Sequence, residues 1–181
     1  MIDLREMPEM LPQFMEIMEY SFPFNERRLP NDYKVYLTDN NKDFTVSLFI
    51  ENSELIGFLT HWKLSGYIFI EHFAVSHSHR NRGFGKAILT KFIEQSNASL
   101  VLEVEPPDNE ISQRRITFYE RLGFVVNPHK YIQPPYHNDA DSLNMLLMTN
   151  RLLLNDEFIS LRNEIYAKVY KTSVELLKSK E

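Results

Sequence analysis

Leu11, Phe14, Met15 and Met18 recur at the i, i+3, i+4, i+7 spacing, which predicts an amphipathic helix over about Pro8 to Tyr20, with Pro12 tolerated in its first turn. Pro23 and Pro30 bracket the stretch that follows, so Ser21 to Pro30 reads as a shaped loop and Asn31 to about Thr38 as a short helix. Three segments rich in β-branched and aromatic residues come next: Phe44 to Ile50, Leu55 to Leu64 and Tyr67 to Val75. Glu51-Asn52-Ser53-Glu54 is a hairpin signal and Ser65-Gly66 a turn, so the three predict an antiparallel meander. The period changes at Gly83. Ala87, Ile88, Leu89, Phe92 and Ile93 describe a helix to about Gln95 that is buried over a broad face. Ser99 to Val104 is a short apolar strand, and a helix between two strands implies a parallel pairing through a right-handed crossover.

Pro106-Pro107-Asp108 ends that strand, and Ile116, Phe118, Tyr119 and Leu122 mark a helix from about Ser112 to Leu122, closed by Gly123. Phe124 to Val126 and Leu143 to Thr149 read as strands around a long loop carrying His129, Tyr131, Gln133-Pro134-Pro135-Tyr136 and His137. Asn155 is placed to cap a last helix, Asp156 to about Leu177, with Phe158, Leu161, Ile165, Val169 and Val174 on one face. The expected fold is a mixed α/β domain: a central, mostly antiparallel sheet with helices on both faces and an extra C-terminal helix.

Composition narrows what such a domain does. With 181 residues, 43% of them hydrophobic and 13% aromatic, the chain suits one packed domain over about residues 1–150 and an amphipathic helix over 151–181. That helix either packs on the domain or forms the seam of a homodimer. A net charge of −5 gives no electrostatic support for nucleic-acid binding and mildly favours cationic partners such as amines. The absence of cysteine removes disulfides, thiolate metal sites and cysteine nucleophiles. No stretch approaches the roughly 18 apolar residues that span a bilayer, and no basic, apolar leader opens the chain, so a cytoplasmic protein without a membrane or metal partner is expected.

Two of only five glycines fall within Arg80-Asn81-Arg82-Gly83-Phe84-Gly85-Lys86, at the predicted start of a helix. Glycine lets backbone approach another molecule without a Cβ in the way, and the first amides of a helix lie at the positive end of its dipole. With Arg80, Arg82 and Lys86 beside them, these amides suit a phosphate. A Walker loop is excluded, because Ala87 follows Gly85-Lys86 and Arg80 occupies the earlier glycine position. A dinucleotide fingerprint lacks its third glycine, where Ile88 stands, although Glu103 partly imitates the acidic ribose ligand. The pattern Gln/Arg-x-x-Gly-x-Gly/Ala is met by Arg80 to Gly85 at every fixed position.

On that loop the chain resembles the GNAT family, the Gcn5-related N-acetyltransferases. Ile70-Glu71-His72-Phe73-Ala74-Val75 looks like the family's fourth strand, and Phe118-Tyr119-Glu120-Arg121-Leu122-Gly123-Phe124 like its second signature. The element order agrees from about Ile2 to Thr149. The resemblance implies acetyl transfer from acetyl-CoA to a small amine or peptide amine by direct attack. It places Arg80, Arg82, Gly83, Phe84, Gly85 and Lys86 at the CoA pyrophosphate, and Phe73, Ala74 and Val75 along the pantetheine arm between splayed fourth and fifth strands. A backbone amide there would polarise the thioester oxygen. Tyr119 matches the general acid that protonates the departing thiolate, the alternative being an amphipathic core tyrosine. Glu71 sits where many members carry a carboxylate and is either the base, acting through water, or a solvent-facing strand residue. His72, next to it, is expected on the opposite side of the sheet.

Other residues keep two readings. Glu103 and Glu105 are alternative bases or amine-binding groups, or solvated strand ends. Tyr136 either lines the amine pocket or stiffens its loop, and the Phe22-Pro23-Phe24-Asn25-Glu26 loop raises the same pair. His77-Ser78-His79 reads as surface histidines rather than a metal pair. Ser112 and Arg115 depart from the family's commoner Asn and small residue, with the Ser112 hydroxyl partly replacing the amide. A CoA-binding module without turnover is the alternative function, and a dinucleotide-dependent oxidoreductase is the other.

Overall fold

The computed structural model describes residues 1–38, 41–137 and 140–178. Two compact units emerge, one from Met1–Lys63 with Ile70–Asn97, the other from Leu64–Phe69 with Ala98–Glu181. The C-terminal residues belong with the second unit and form no unit of their own.

In the first unit β1 (Ile2–Asp3), which the hydrophobic pattern does not predict, pairs antiparallel with β2 (Phe44–Glu51), and β2 with β3 (Glu54–Lys63). Asn52 and Ser53, both at positive φ (50° and 65°), form the tight turn that joins these two strands, as a two-residue hairpin loop demands. β4 (Tyr67–Val75) lies next to β3, and its residues from Ile70 onward complete this unit's sheet. Helices α1 (Leu11–Ser21) and α2 (Pro30–Thr38) cover an aromatic core in which Phe14 meets Tyr33 edge-on at 5.3 Å and Phe58 at 4.7 Å. Gly57 lets β3 approach β4 closely: a Cβ there would lie 2.6 Å from the Ala74 carbonyl oxygen. Helix α3 (Phe84–Gln95) buries Ile88, Leu89 and Phe92 as its spacing predicts.

In the second unit β5 (Ser99–Val104) pairs antiparallel with β8 (Leu143–Thr149), which also receives β6 (Val125–Val126) and β7 (Tyr131–Gln133). β7 lies inside the segment read as a loop; at three residues it is too short for alternation to register. Helix α4 runs from Glu110 to Glu120 and starts at Asn109, whose side chain accepts from the amides of Ile111 (2.9 Å) and Ser112 (3.0 Å). The sheet is mostly antiparallel and flanked by helices.

The last helix is not continuous. It runs as α5 (Asn155–Lys168) and resumes as α6 (Val174–Lys178), with Lys171 at φ 56° between them. Thr172 N–H closes on the Tyr166 carbonyl at 2.9 Å, so a left-handed residue ends α5 without the glycine that would have marked it in the sequence. Asn155 is the first helical residue and not the cap; the Glu157 carboxylate accepts the Leu154 amide at 3.1 Å. Phe158, Leu161, Ile165 and Val169 are buried.

Candidate active site

Asn81 and Gly83, at φ 61° and 83°, are both left-handed, and they bend the chain from the end of β4 into α3. Gly83 is the N-cap residue. The first helical bond, Ala87 N–H to the Gly83 carbonyl at 3.1 Å, leaves the amides of Phe84, Gly85 and Lys86 outside the helical ladder. Arg82 and Lys86 are exposed, and the Arg82 guanidinium lies 5.5 Å from the centre of the Phe84 ring. Arg80 is exposed but engaged: Nε donates to the Val75 carbonyl (3.1 Å), Nη2 donates to Ser21 Oγ (2.8 Å), and the cation lies over the Tyr20 ring. It ties the loop to the end of β4. His79 is buried, not on the surface, its Nδ1 hydrogen-bonded to the hydroxyls of Ser76 (2.7 Å) and Ser78 (2.9 Å).

Along β4, Phe73 and Val75 are half-buried and Ala74 is buried. The Glu71 side chain has no exposed area, so what the residue shows to solvent is backbone. Its carboxylate accepts from Arg28 Nη2 at 2.6 Å and from the Trp62 indole at 3.0 Å. Arg28 is itself buried and lies over the rings of Tyr36 (5.2 Å) and Trp62 (5.3 Å). Burial would raise the Glu71 carboxyl; the Arg28 charge, then His72 and the two hydrogen bonds, outweigh it and hold the carboxyl below its ordinary value. Glu71 is therefore not a solvent-facing strand residue.

His72 does not lie opposite to it either. Its Nδ1 is 3.8 Å from the Glu71 carboxylate and 3.1 Å from Thr60 Oγ1. Thr60 and Trp62 are two apart on β3 and share a face, so β4 departs from strict alternation at these residues. The His72 Nε2–H donates to the Glu26 carbonyl (2.8 Å), which fixes the tautomer, and burial pushes the ring's pKa down. Arg28 and His72 thus fasten the proline-bracketed loop to β4.

In the second unit Tyr119 is half-buried on the last turn of α4, its ring 5.9 Å from that of Phe124. The chain after it is reversed by Gly123 (φ 88°), and Phe124 N–H closes on the Tyr119 carbonyl at 3.1 Å. Burial, moderated by Arg115, pushes the Tyr119 phenol up to about 12, so it stays protonated across the working range. Its hydroxyl makes no hydrogen bond among the described residues and is not an enclosed atom. Ser112 is buried, and its hydroxyl donates to the Asn109 carbonyl (3.0 Å) and accepts the Asn109 amide (3.3 Å) as part of the helix cap. Arg115 pairs with Glu105 at 2.5 Å on the surface.

Glu103 is the centre of a second cluster. It accepts from the Tyr131 hydroxyl (2.5 Å), the Gln133 amide (2.5 Å) and the Tyr170 hydroxyl (2.7 Å). Tyr136 packs on Tyr170, ring centres 5.3 Å apart and hydroxyls 3.5 Å apart. The two residues singled out on the acceptor side, Glu103 and Tyr136, are therefore joined through Tyr170, which the sequence did not indicate. Nothing in the periodicity of α5 marks a tyrosine beyond its end as functional. Tyr131 and Gln133 lie in the loop already singled out, and Arg28 in the proline-bracketed loop, where the signal was the loop itself rather than the residue.

A helix start with three amides outside its ladder in the first unit, and a protonated tyrosine followed by Leu-Gly-Phe in the second, carry the two sequence signatures of an acetyltransferase family. The model of the Acetyltransferase (GNAT) family matches residues 8–124, and the chain belongs to that family. A protein from Bacteroides thetaiotaomicron, provisionally described as a GNAT-family acetyltransferase, is 32% identical, with 93% of this chain and 96% of that one covered and a TM-score of 0.86. Two more distant structures share the fold. The ribosomal-protein-alanine N-acetyltransferase of Brucella melitensis is 17% identical, covering 80% of this chain and 95% of its own, with a TM-score of 0.59. A Bacillus subtilis acetyltransferase in complex with CoA is 17% identical, covering 78% and 93%, with a TM-score of 0.55. Among curated proteins no match is found.

Proposed function

We propose that the protein transfers an acetyl group from acetyl-CoA to a primary amine by direct attack in a ternary complex. The observation that carries this reading is the loop from Arg80 to Lys86, whose two left-handed residues and three amides outside the helical ladder are suited to receiving a pyrophosphate. Arg82 and Lys86 add charge, and Arg80 holds the loop against β4. The backbone of Phe73, Ala74 and Val75 is the part of β4 assigned to the extended pantetheine arm, which pairs with backbone as an added strand does. A CoA molecule bound to the Bacillus subtilis neighbour supports the same donor here.

The amine nitrogen attacks the thioester carbonyl carbon after its ammonium has released a proton, because the protonated form has no lone pair to attack with. The nitrogen, cationic after attack, loses its second proton to water as the C–S bond breaks, and Tyr119 gives its phenolic proton to the thiolate and regains one from solvent. The products are the N-acetyl amine and CoA thiol. Glu71 is suited to anchoring the Arg28 loop rather than to taking a proton, since its carboxyl is enclosed, ion-paired and held low. Proton removal from the ammonium falls to water. Glu103 and Tyr136 lie on the acceptor side.

The enclosure of Glu71 also favours a second reading, a CoA-binding module that has lost turnover. A thermal-shift comparison of CoA esters, followed by a thiol-release screen over amines, polyamines, amino sugars and peptide N-termini, separates the two. Acetyl-CoA binding with release by at least one amine supports acetyl transfer. Binding without release by any amine supports the module, stabilisation by NAD(P) instead of CoA points to the oxidoreductase, and failure to bind CoA removes the first two readings.

A further inference from the structure

Helix α5 ends in an unusual way. Val169 N–H and Tyr170 N–H both close on the Ile165 carbonyl, at 2.8 and 3.4 Å, and Thr172 N–H closes on Tyr166 across Lys171, a non-glycine residue held at φ 56°. A left-handed lysine is disfavoured backbone, kept only where surrounding contacts demand it. Those contacts are visible: the Tyr166 hydroxyl donates to the Ile132 carbonyl of β7 at 2.5 Å, and the Tyr170 hydroxyl donates to Glu103 on β5 at 2.7 Å. The turn therefore fixes one side chain, Tyr170, against the carboxylate of a strand far away in sequence.

We propose, resting on the acetyl-transfer reading, that Tyr170 is a specificity-determining residue that positions Glu103 within a subsite for an alkylammonium acceptor, so that the segment after residue 150 is part of the acceptor site. The hydrogen bonds from Tyr131, Gln133 and Tyr170 all run toward the carboxylate, which is the pattern of an ionised acid. Burial, followed by the Glu103 charge, pushes the phenols of Tyr131 and Tyr170 well above their ordinary value, so both remain donors. With its single O–H directed at Glu103, each phenol offers only oxygen lone pairs to anything else. The Tyr136 and Tyr170 rings, tilted at 57° to each other, add aromatic faces that attract cations. Glu103, Tyr136 and Tyr170 are all partly open to solvent, whereas Tyr131 and Gln133 are buried behind them. A carboxylate and phenol oxygens with aromatic faces are complementary to an ammonium group.

The test uses the full chain and its Tyr170→Phe variant, which keeps the ring and removes the hydroxyl. Two acceptors of similar size are compared near pH 7, an alkylamine that is protonated and an O-alkylhydroxylamine that is neutral. Tyr170→Phe is expected to raise KM for the alkylamine roughly tenfold, because the Glu103 carboxylate loses one of the charge-assisted hydrogen bonds that hold it toward the ammonium. KM for acetyl-CoA, kcat, and KM for the neutral acceptor should stay within about twofold, and Tyr136→Phe should show the same selectivity in weaker form. A KM for the alkylamine that does not move, or one that rises equally for both acceptors, overturns the assignment while leaving acetyl transfer intact. Calorimetric titration of the alkylamine into the CoA complex gives a readout independent of turnover. If no amine is acetylated by the wild-type protein, the acetyl-transfer reading has failed. Tyr170-dependent amine binding in that titration would still support the subsite, and binding unaffected by Tyr170→Phe would overturn it too.

Discussion

Replacing Arg28 by methionine tests the most heavily buried charge arrangement in the first unit. The Arg28 side chain is 8% exposed and that of Glu71 is fully enclosed, with the guanidinium 2.6 Å from the carboxylate. Methionine keeps much of the volume but leaves a buried carboxylate facing only the Trp62 indole and the His72 ring among the partners described above. Removing one member of a buried pair costs about 3–5 kcal/mol, and the lost cation–π contacts with Tyr36 and Trp62 add a further ~1 kcal/mol. The sign with pH follows from the carboxyl. In the wild type it is held below 4.5, so the pair's contribution is present above that value and fades only as pH falls through the lower folded value. In the variant the Arg28 charge and hydrogen bond no longer oppose burial, so the carboxyl rises, the variant takes up a proton earlier and its deficit shrinks toward acid. Urea unfolding followed by the fluorescence of the chain's single tryptophan, Trp62, measures both. The expected deficit is about 4 kcal/mol at neutral pH and clearly less near pH 5. A deficit below about 1 kcal/mol, or one that grows on acidification, would refute this account of the pair.

Two further outcomes follow from named positions. Gly83→Ala places a Cβ on a residue at φ 83°, which should cost about 1–2 kcal/mol in thermal unfolding and weaken CoA binding by roughly tenfold in a titration, whereas Gly66→Ala should carry the strain without the binding loss. Burial depresses the ring of His61 to about 4 from the ordinary 6.5, so the unfolded chain binds the extra proton between these values and stability falls as pH drops from 6.5 toward 4, by about 3 kcal/mol in all. His61→Gln, which preserves a hydrogen-bonding group toward Ser47, should flatten that slope in urea titrations at successive pH values.

Much of this architecture is legible in the chain because its devices are local. Apolar spacing announces α1 and α3, paired turn residues at Asn52 and Ser53 announce the hairpin, and glycines announce the phosphate loop and the end of α4. What stays hidden is made by tertiary contact. The break at Lys171 uses no glycine or proline and is held by Tyr166 and Tyr170 reaching across the unit. Strand β1 is two residues long, and β7 three. Glu71 illustrates the limit for a site residue: the sequence offers a carboxylate in an apolar run, and only the fold reveals that Arg28, 43 residues earlier, has claimed it. Ser112 shows the converse, since its hydroxyl serves the cap that Asn109 begins, a motif readable as Asn-x-x-Ser.

The central claim is that Tyr119, protonated to about 12 and with its hydroxyl unpartnered among the described residues, hands a proton to the leaving thiolate. Single-turnover thiol release from acetyl-CoA with a reactive amine, compared between wild type and Tyr119→Phe, addresses it directly. The account predicts unchanged acetyl-CoA affinity, a rate lower by about 10²–10⁴, and no decline of the wild-type rate near pH 10 that a phenol of ordinary acidity would cause. A Tyr119→Phe variant that releases thiol at the wild-type rate would contradict it.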